Sequence, residues 1–134
     1  MLPLAKKKEI VSKYDQHALV GMMYSEEGNY VIQCIILNMP HEEISFLLPL
    51  IEERVLDLCK DKRGCRVIQR VLEKYPRSVI NEKIINRIID EAGNLTPLQY
   101  GNYVITHILQ HGLEREKISI VEAIIDNIVK FSLY

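Results

Sequence analysis

Apolar residues along the chain recur every three or four positions, not every second one. Ile44, Leu47, Leu48, Ile51, Val55 and Leu58 form one such row. Ile84, Ile85, Ile88 and Ile89 form a second, and Ile118, Val121, Ile124, Ile125, Ile128 and Val129 a third. Spacing of this kind lays one apolar stripe along a helix. No alternating stretch of five residues competes with it, so the pattern predicts an all-α chain. Ile and Val are abundant, but the helical period outranks their weak strand preference.

Polar and turn-forming residues punctuate the rows. Breaks fall at Asn38-Met39-Pro40-His41, Tyr75-Pro76-Arg77-Ser78 and His111-Gly112-Leu113. Ser25 and Asp61 each stand three residues ahead of a glycine and read as helix N-caps. Thr96-Pro97 followed by Gln99 has the composition of a capping box with proline at the first helical position. Pro49 sits inside an apolar row and is expected to kink or end its helix, since an interior proline costs about 3 kcal/mol.

The strongest signal is repetition. Gly28-Asn29-Tyr30-Val31-Ile32-Gln33 returns as Gly64-Cys65-Arg66-Val67-Ile68-Gln69 and again as Gly101-Asn102-Tyr103-Val104-Ile105-Thr106. The copies are 36 and 37 residues apart, and each runs on into an apolar stretch and a Pro or Gly break. A helical unit with this period implies an α-solenoid, in which each repeat stacks only on its neighbours. The predicted units are about 5–39, 40–75 and 76–112, with an incomplete fourth over 113–134.

Within one copy, Asn29 and Gln33 are four residues apart and share a helical face, with Tyr30 flanking them. Val31, Ile32 and Ile35 point toward the stack. Cys65, Gln69 and Arg66 repeat that geometry, as do Asn102, Thr106 and Tyr103. A flat tyrosine or guanidinium stacks on a base face, and a primary amide donates to and accepts from a Watson–Crick edge. A series of such units would read a single strand one base at a time. A scaffold repeat of the HEAT or armadillo kind shares only the period and has no reason to keep amide and planar residues at these spacings.

Composition narrows the function further. The chain has 134 residues, enough for one domain with a real core. Hydrophobic residues are 48% and charged residues 26%, which excludes a disordered tail. Net charge is -1, so a generally basic binder is not indicated, although charge can segregate onto one face. Three cysteines, Cys34, Cys59 and Cys65, form no C-x-x-C pair; they suit a reducing compartment and exclude a disulfide framework. Apolar runs of about five residues are far short of a membrane span. Lys6-Lys7-Lys8 follows an apolar stub, the wrong order for a secretory signal, and reads as a solvated helix start. No phosphate loop, nucleophile elbow or carboxylate pair appears, so the chain is read as a non-enzyme without metal or cofactor. His107 and His111, an i, i+4 pair with no third ligand, read as a solvated helix face.

Gly28 to Gln33, Gly64 to Arg70, and Gln99-Tyr100-Gly101-Asn102-Tyr103-Val104-Ile105 resemble consecutive repeats of the Pumilio (PUF) family of RNA-binding domains. The resemblance covers three repeats and the start of a fourth, and implies a right-handed solenoid whose second repeat helix lines a concave surface. In that family Asn with Gln reads uracil, and Cys with Gln reads adenine. The resemblance thus assigns Asn29 and Gln33 to U with Tyr30 stacking, and Cys65 and Gln69 to A with Arg66 stacking. Asn102 and Tyr103 match the uracil type, but Thr106 stands where glutamine is expected and is too short to reach the same edge. RNA runs antiparallel to these proteins, so the implied reading is 5′-(U, relaxed)-A-U-3′. That run looks like the middle of a longer array reading a UGUA-type element in an mRNA 3′ untranslated region. The implied role is cytoplasmic regulation of mRNA translation or decay, with single-stranded RNA as partner and neither DNA nor membrane. Regulatory proteins or a complementary repeat-containing chain are the further partners the resemblance leaves open. Ile118 to Tyr134 reads as the first helix of the fourth repeat, without the polar cap of a solenoid end, so the chain is expected to be a section of a longer array.

Overall fold

The computed structural model describes residues 3–75 and 79–132. Ten α-helices follow in chain order among them: α1 (Leu4–Val11), α2 (Gln16–Tyr24), α3 (Gly28–Asn38), α4 (Leu48–Glu52), α5 (Val55–Lys60), α6 (Gly64–Lys74), α7 (Val79–Asp90), α8 (Ala92–Leu95), α9 (Gln99–His111) and α10 (Glu114–Ser132). A single turn of 3-10 helix, His41–Ile44, precedes α4, and no strand occurs among the described residues. The chain is a helical-repeat solenoid. Helices α3, α6 and α9 begin at or just before the three glycines of the repeated sextet and pack in that order, α3 on α6 and α6 on α9. Each is backed by a short partner, α2, α5 or α8, while α4, α7 and α10 form the next layer.

The stack is held by branched aliphatic side chains. Ile32, Ile36, Val67, Ile68, Val71, Ile84, Ile88, Val104 and Ile108 are all buried. Burying such a side chain fully is worth about 1.5–3 kcal/mol. Tyr75, at the end of α6, donates from its hydroxyl to the carbonyls of Ile36 (2.9 Å) and Met39 (3.4 Å), stapling it to the end of α3. The His41 ring meets Tyr75 edge-on at 5.5 Å.

The sextet glycines are explained by space. A Cβ on Gly64 would lie 2.8 Å from the carbonyl oxygen of Leu58, and one on Gly101 would lie 2.6 Å from that of Leu95. None of the described glycines has positive φ, so close approach to the preceding helix selects glycine here, not backbone conformation. Ser25 and Asp61 act as expected: Ser25 Oγ accepts from Gly28 N (2.7 Å), and an Asp61 carboxylate oxygen accepts from Arg63 N (2.8 Å) and Gly64 N (2.7 Å).

Several expectations are corrected. The row Ile44 to Leu58 is not one helix; it breaks into the 3-10 turn, α4 and α5, with Pro49 inside the first turn of α4 where its missing N–H costs nothing. Thr96 does not cap α9; its backbone is helical and its hydroxyl donates backward to Ala92 O at 2.7 Å. Val31 does not face the stack; it is 40% exposed, whereas its counterparts Val67 and Val104 are fully buried. In α10 the buried positions are Glu116 and Ile120, and the predicted row from Ile118 to Val129 is exposed except for half-buried Ile124. Pro76–Ser78, where one break was predicted, and the terminal Leu133 and Tyr134 lie outside the described residues.

Candidate nucleic-acid interface

The predicted residues fall on consecutive helices that share one surface. Tyr30 and Tyr103 are more than half exposed, and Arg66 is half-buried between them in sequence and in space. Arg66 Nη1 donates to Tyr30 Oη at 3.5 Å, which links α3 to α6. Cys65, Arg66 and Gln69 from α6 face Tyr103 and Thr106 from α9 across an open groove of about 680 Å³.

The edge positions differ among the three copies. Asn29 is fully buried; its amide nitrogen donates to Ser25 O (2.8 Å) and Glu26 O (2.7 Å), and its oxygen accepts from Gln33 Nε2 at 2.8 Å. Asn29 therefore locks the first turn of α3 and orients Gln33, which remains half-buried. Gln33 uses one N–H in this bond, and a primary amide has a second N–H and two lone pairs besides. Cys65 is also buried, with its thiol 3.4 Å from Lys62 O, and Gln69 Nε2 donates to Cys65 O at 3.2 Å. Burial pushes the Cys65 thiol upward, with Arg66 opposing and Asp61 adding to the shift. The neutral S–H thus persists at neutral pH.

In the third copy both edge residues are exposed. Thr106 Oγ1 donates to Asn102 Oδ1 at 3.0 Å, and Asn102 Nδ2 donates to Thr96 O at 3.0 Å. The Asn102 amide is held at both ends, and the short threonine puts no amide beyond it.

The groove also gathers Arg70, Tyr100 and Gln110, which the sequence pattern did not single out. Each lies one helical turn from a predicted residue: Arg70 four after Arg66, Tyr100 three before Tyr103, Gln110 four after Thr106. The Tyr100 and Tyr103 rings sit 6.4 Å apart at 51°. His107 is buried against the expectation of a solvated face, while His111 is exposed with its ring 5.0 Å from that of His107. No cluster of three metal-ligating side chains occurs among the described residues. A larger groove, about 960 Å³, lies between α1, the turn after it, α2 and α4, and contains none of the predicted base-reading or stacking residues. No helix among the described residues is long and apolar enough to cross a membrane.

Comparison with known proteins meets this geometry. Fem-3 mRNA-binding factor 1 of Caenorhabditis elegans is 27% identical over 110 residues, covering 69% of this chain and 18% of that protein. Pumilio domain-containing protein 7 of the same organism is 33% identical over 75 residues, 54% of this chain and 16% of that protein. The chain thus spans under a fifth of these relatives. The Puf3 RNA binding domain bound to the Cox17 RNA 3′ UTR recognition sequence site A superimposes with a TM-score of 0.81 at 32% identity, over 98% of this chain and 38% of that one. PUF-8 in complex with PBE-RNA gives 0.82 at 27% identity, over 95% and 37%. The family model of the Pumilio-family RNA binding repeat matches residues 26–49, 54–91 and 99–125. Those three segments carry α3, α6 and α9 with their glycines, and the chain belongs to the Pumilio family of RNA-binding repeats.

Proposed function

We propose that this chain binds single-stranded RNA sequence-selectively, one base to each of α3, α6 and α9. The observation that carries the reading is the common surface: the planar residues Tyr30, Arg66 and Tyr103 recur along it, with Gln33 and Gln69 beside the first two. Gln33, set by Asn29, reads uracil with Tyr30 stacking. Gln69, with Cys65, reads adenine with Arg66 stacking. Tyr103 stacks a third base, which Asn102 and Thr106 discriminate weakly. With RNA antiparallel to the chain, the section reads about 5′-UAU-3′ with a relaxed first position. Repeat units of about 5–39, 40–75 and 76–112, and a partial unit after them, divide the work.

Three stacked bases supply roughly 3–9 kcal/mol gross, against an association cost of about 4–15 kcal/mol. Tight recognition therefore calls for more repeats than these three, from a longer parent or a complementary repeat-containing chain. In that setting the role is regulation of mRNA translation or decay through a UGUA-type element in a 3′ untranslated region, in the cytoplasm, without catalysis.

The test is binding to a U/A-rich RNA containing UAU, compared with the same RNA changed at the central A. Changing that A lowers affinity, and Gln69→Ala and Arg66→Ala lower it similarly. If none of the three changes matters, base reading is wrong and a helical protein-interaction scaffold takes its place.

A further inference from the structure

One charged stripe runs beside the edge-reading residues, on α6 and the turn just before it. Counting from each sextet glycine, the residues two after and six after lie four apart on one helical face, and the residue two before stands at the start of that helix or in the turn leading into it. In the first copy they are Glu26, Tyr30 and Cys34; in the third, Gln99, Tyr103 and His107. In the second they are Lys62, Arg66 and Arg70. Neither α3 nor α9 contains a single Lys or Arg. All three cations line the groove between α6 and α9, beside Cys65 and Gln69. Lys62 is exposed, and Arg70 is half-buried with Nη1 donating to both oxygens of the Glu73 carboxylate. On the side toward α3, Glu26 stands 4.0 Å from Arg63, so acidic charge marks where the basic stripe stops.

We infer that Lys62 and Arg70 each contact RNA phosphate at the second repeat, and that the two contacts anchor the RNA backbone where the central base is read. The inference rests on the proposed RNA-binding function and adds to it a contact that carries no base information. Phosphate contacts fix register, and base contacts specify. A chain with net charge -1 gains a local backbone anchor by concentrating cations on one repeat. Glu73 holds Arg70 in place and competes with phosphate for it.

The test is the salt dependence of binding to the UAU-containing RNA, in the whole chain. Each phosphate contact contributes a slope of about −0.7 in log K against log salt for single strands. Lys62→Gln and Arg70→Gln are each expected to flatten the slope by about 0.7, leaving the preference for the central A unchanged. Glu73→Gln steepens the slope and raises affinity at low salt. Lys13→Gln, an exposed cation on the turn after α1, leaves the slope alone. Slopes unchanged in both cation variants, a slope equally flattened by Lys13→Gln, or a lost preference for A overturns the inference while RNA binding stands. No binding by the unaltered chain overturns RNA binding and the inference together.

Discussion

Arg66 Nη1 lies 3.5 Å from Tyr30 Oη, joining two residues 36 apart in sequence and one repeat apart in the stack. The bond ties two planar side chains on neighbouring helices, so the guanidinium plane is set by the tyrosine hydroxyl as well as by α6. A stacking partner whose plane is fixed in advance loses less freedom when a base arrives.

Tyr30 therefore separates into two roles that substitution can divide. Tyr30→Phe keeps the ring and removes the acceptor; Tyr30→Ala removes both. Fluorescence anisotropy with the UAU-containing RNA is expected to show a loss of about 1–3 kcal/mol for alanine, the size of one base–aromatic stack. Phenylalanine is expected to cost less than half as much. Equal losses in the two variants would mean that the hydroxyl, and not the ring, carries the contact.

Gly64→Ala tests the close approach of α6 to α5. In an open helix the change would stabilise by up to about 1 kcal/mol through propensity. Here the new Cβ meets Leu58 O at 2.8 Å, and Leu58 Cα at 2.9 Å, backbone atoms that cannot swing aside. Overpacking of this kind typically costs about 1–3 kcal/mol, so thermal unfolding is expected several degrees below the unaltered chain. A rise in melting temperature would show that propensity wins.

The same contact marks what was legible in the sequence. The three glycines, the 36-residue period and the caps Ser25 and Asp61 were readable because each is fixed by its near neighbours: a turn, a crossing, one hydrogen bond. The short pieces 41–60 were not, because Ile44 to Leu58 keeps a helical period even where the backbone breaks. Thr96 misled in a similar way, since the same hydroxyl can cap forward or bond backward, and only the placement of α8 decides. Among the edge positions, the four-residue spacing put Asn29 and Gln33 on one face correctly. It could not say that Asn29 would be buried with its amide on Ser25 O and Glu26 O, because burial depends on the turn that precedes the helix. Val31 is exposed and Val67 buried at the same place in the repeat, a difference that tertiary packing makes and no local pattern contains.

Tyr75 gives a pH dependence of stability. Burial raises its hydroxyl to about 12 from an ordinary value near 10. The folded chain holds that proton where the unfolded chain has lost it, so the stabilising effect is full below pH about 10 and fades as pH rises toward 12. The Cys59 thiol, raised to about 12 by burial, acts in the same direction and starts lower. Denaturant melts from pH 8 to 12 are expected to show falling stability. Tyr75→Phe should flatten the upper part of that fall, leaving the part due to the buried thiols, and at pH 8 should lose about 0.5–1.5 kcal/mol for the one hydroxyl donor removed. An unchanged alkaline profile in the variant would place the titration elsewhere.

Thr106→Gln asks whether one side chain sets the selectivity of the third position. In the first copy a glutamine four residues after the asparagine bonds its oxygen through Nε2 and still has an N–H and an acceptor for a base. Threonine makes the corresponding bond to Asn102 Oδ1, but that uses its only hydrogen, and the side chain ends there. The substitution keeps the bond to Asn102 and adds an amide at the exposed surface beside Tyr103, so stacking is undisturbed while an edge contact becomes available. Each hydrogen bond of this sort is worth about 0.5–1.5 kcal/mol net, which is a change of roughly two- to twelve-fold in preference. Competition between RNAs that differ only at the base facing the third repeat is expected to show uracil favoured by that factor in the variant, and little preference in the unaltered chain. If selectivity stays flat with glutamine in place, the weak discrimination comes from the way Thr96 O holds Asn102, and Asn102 becomes the residue that limits the third position.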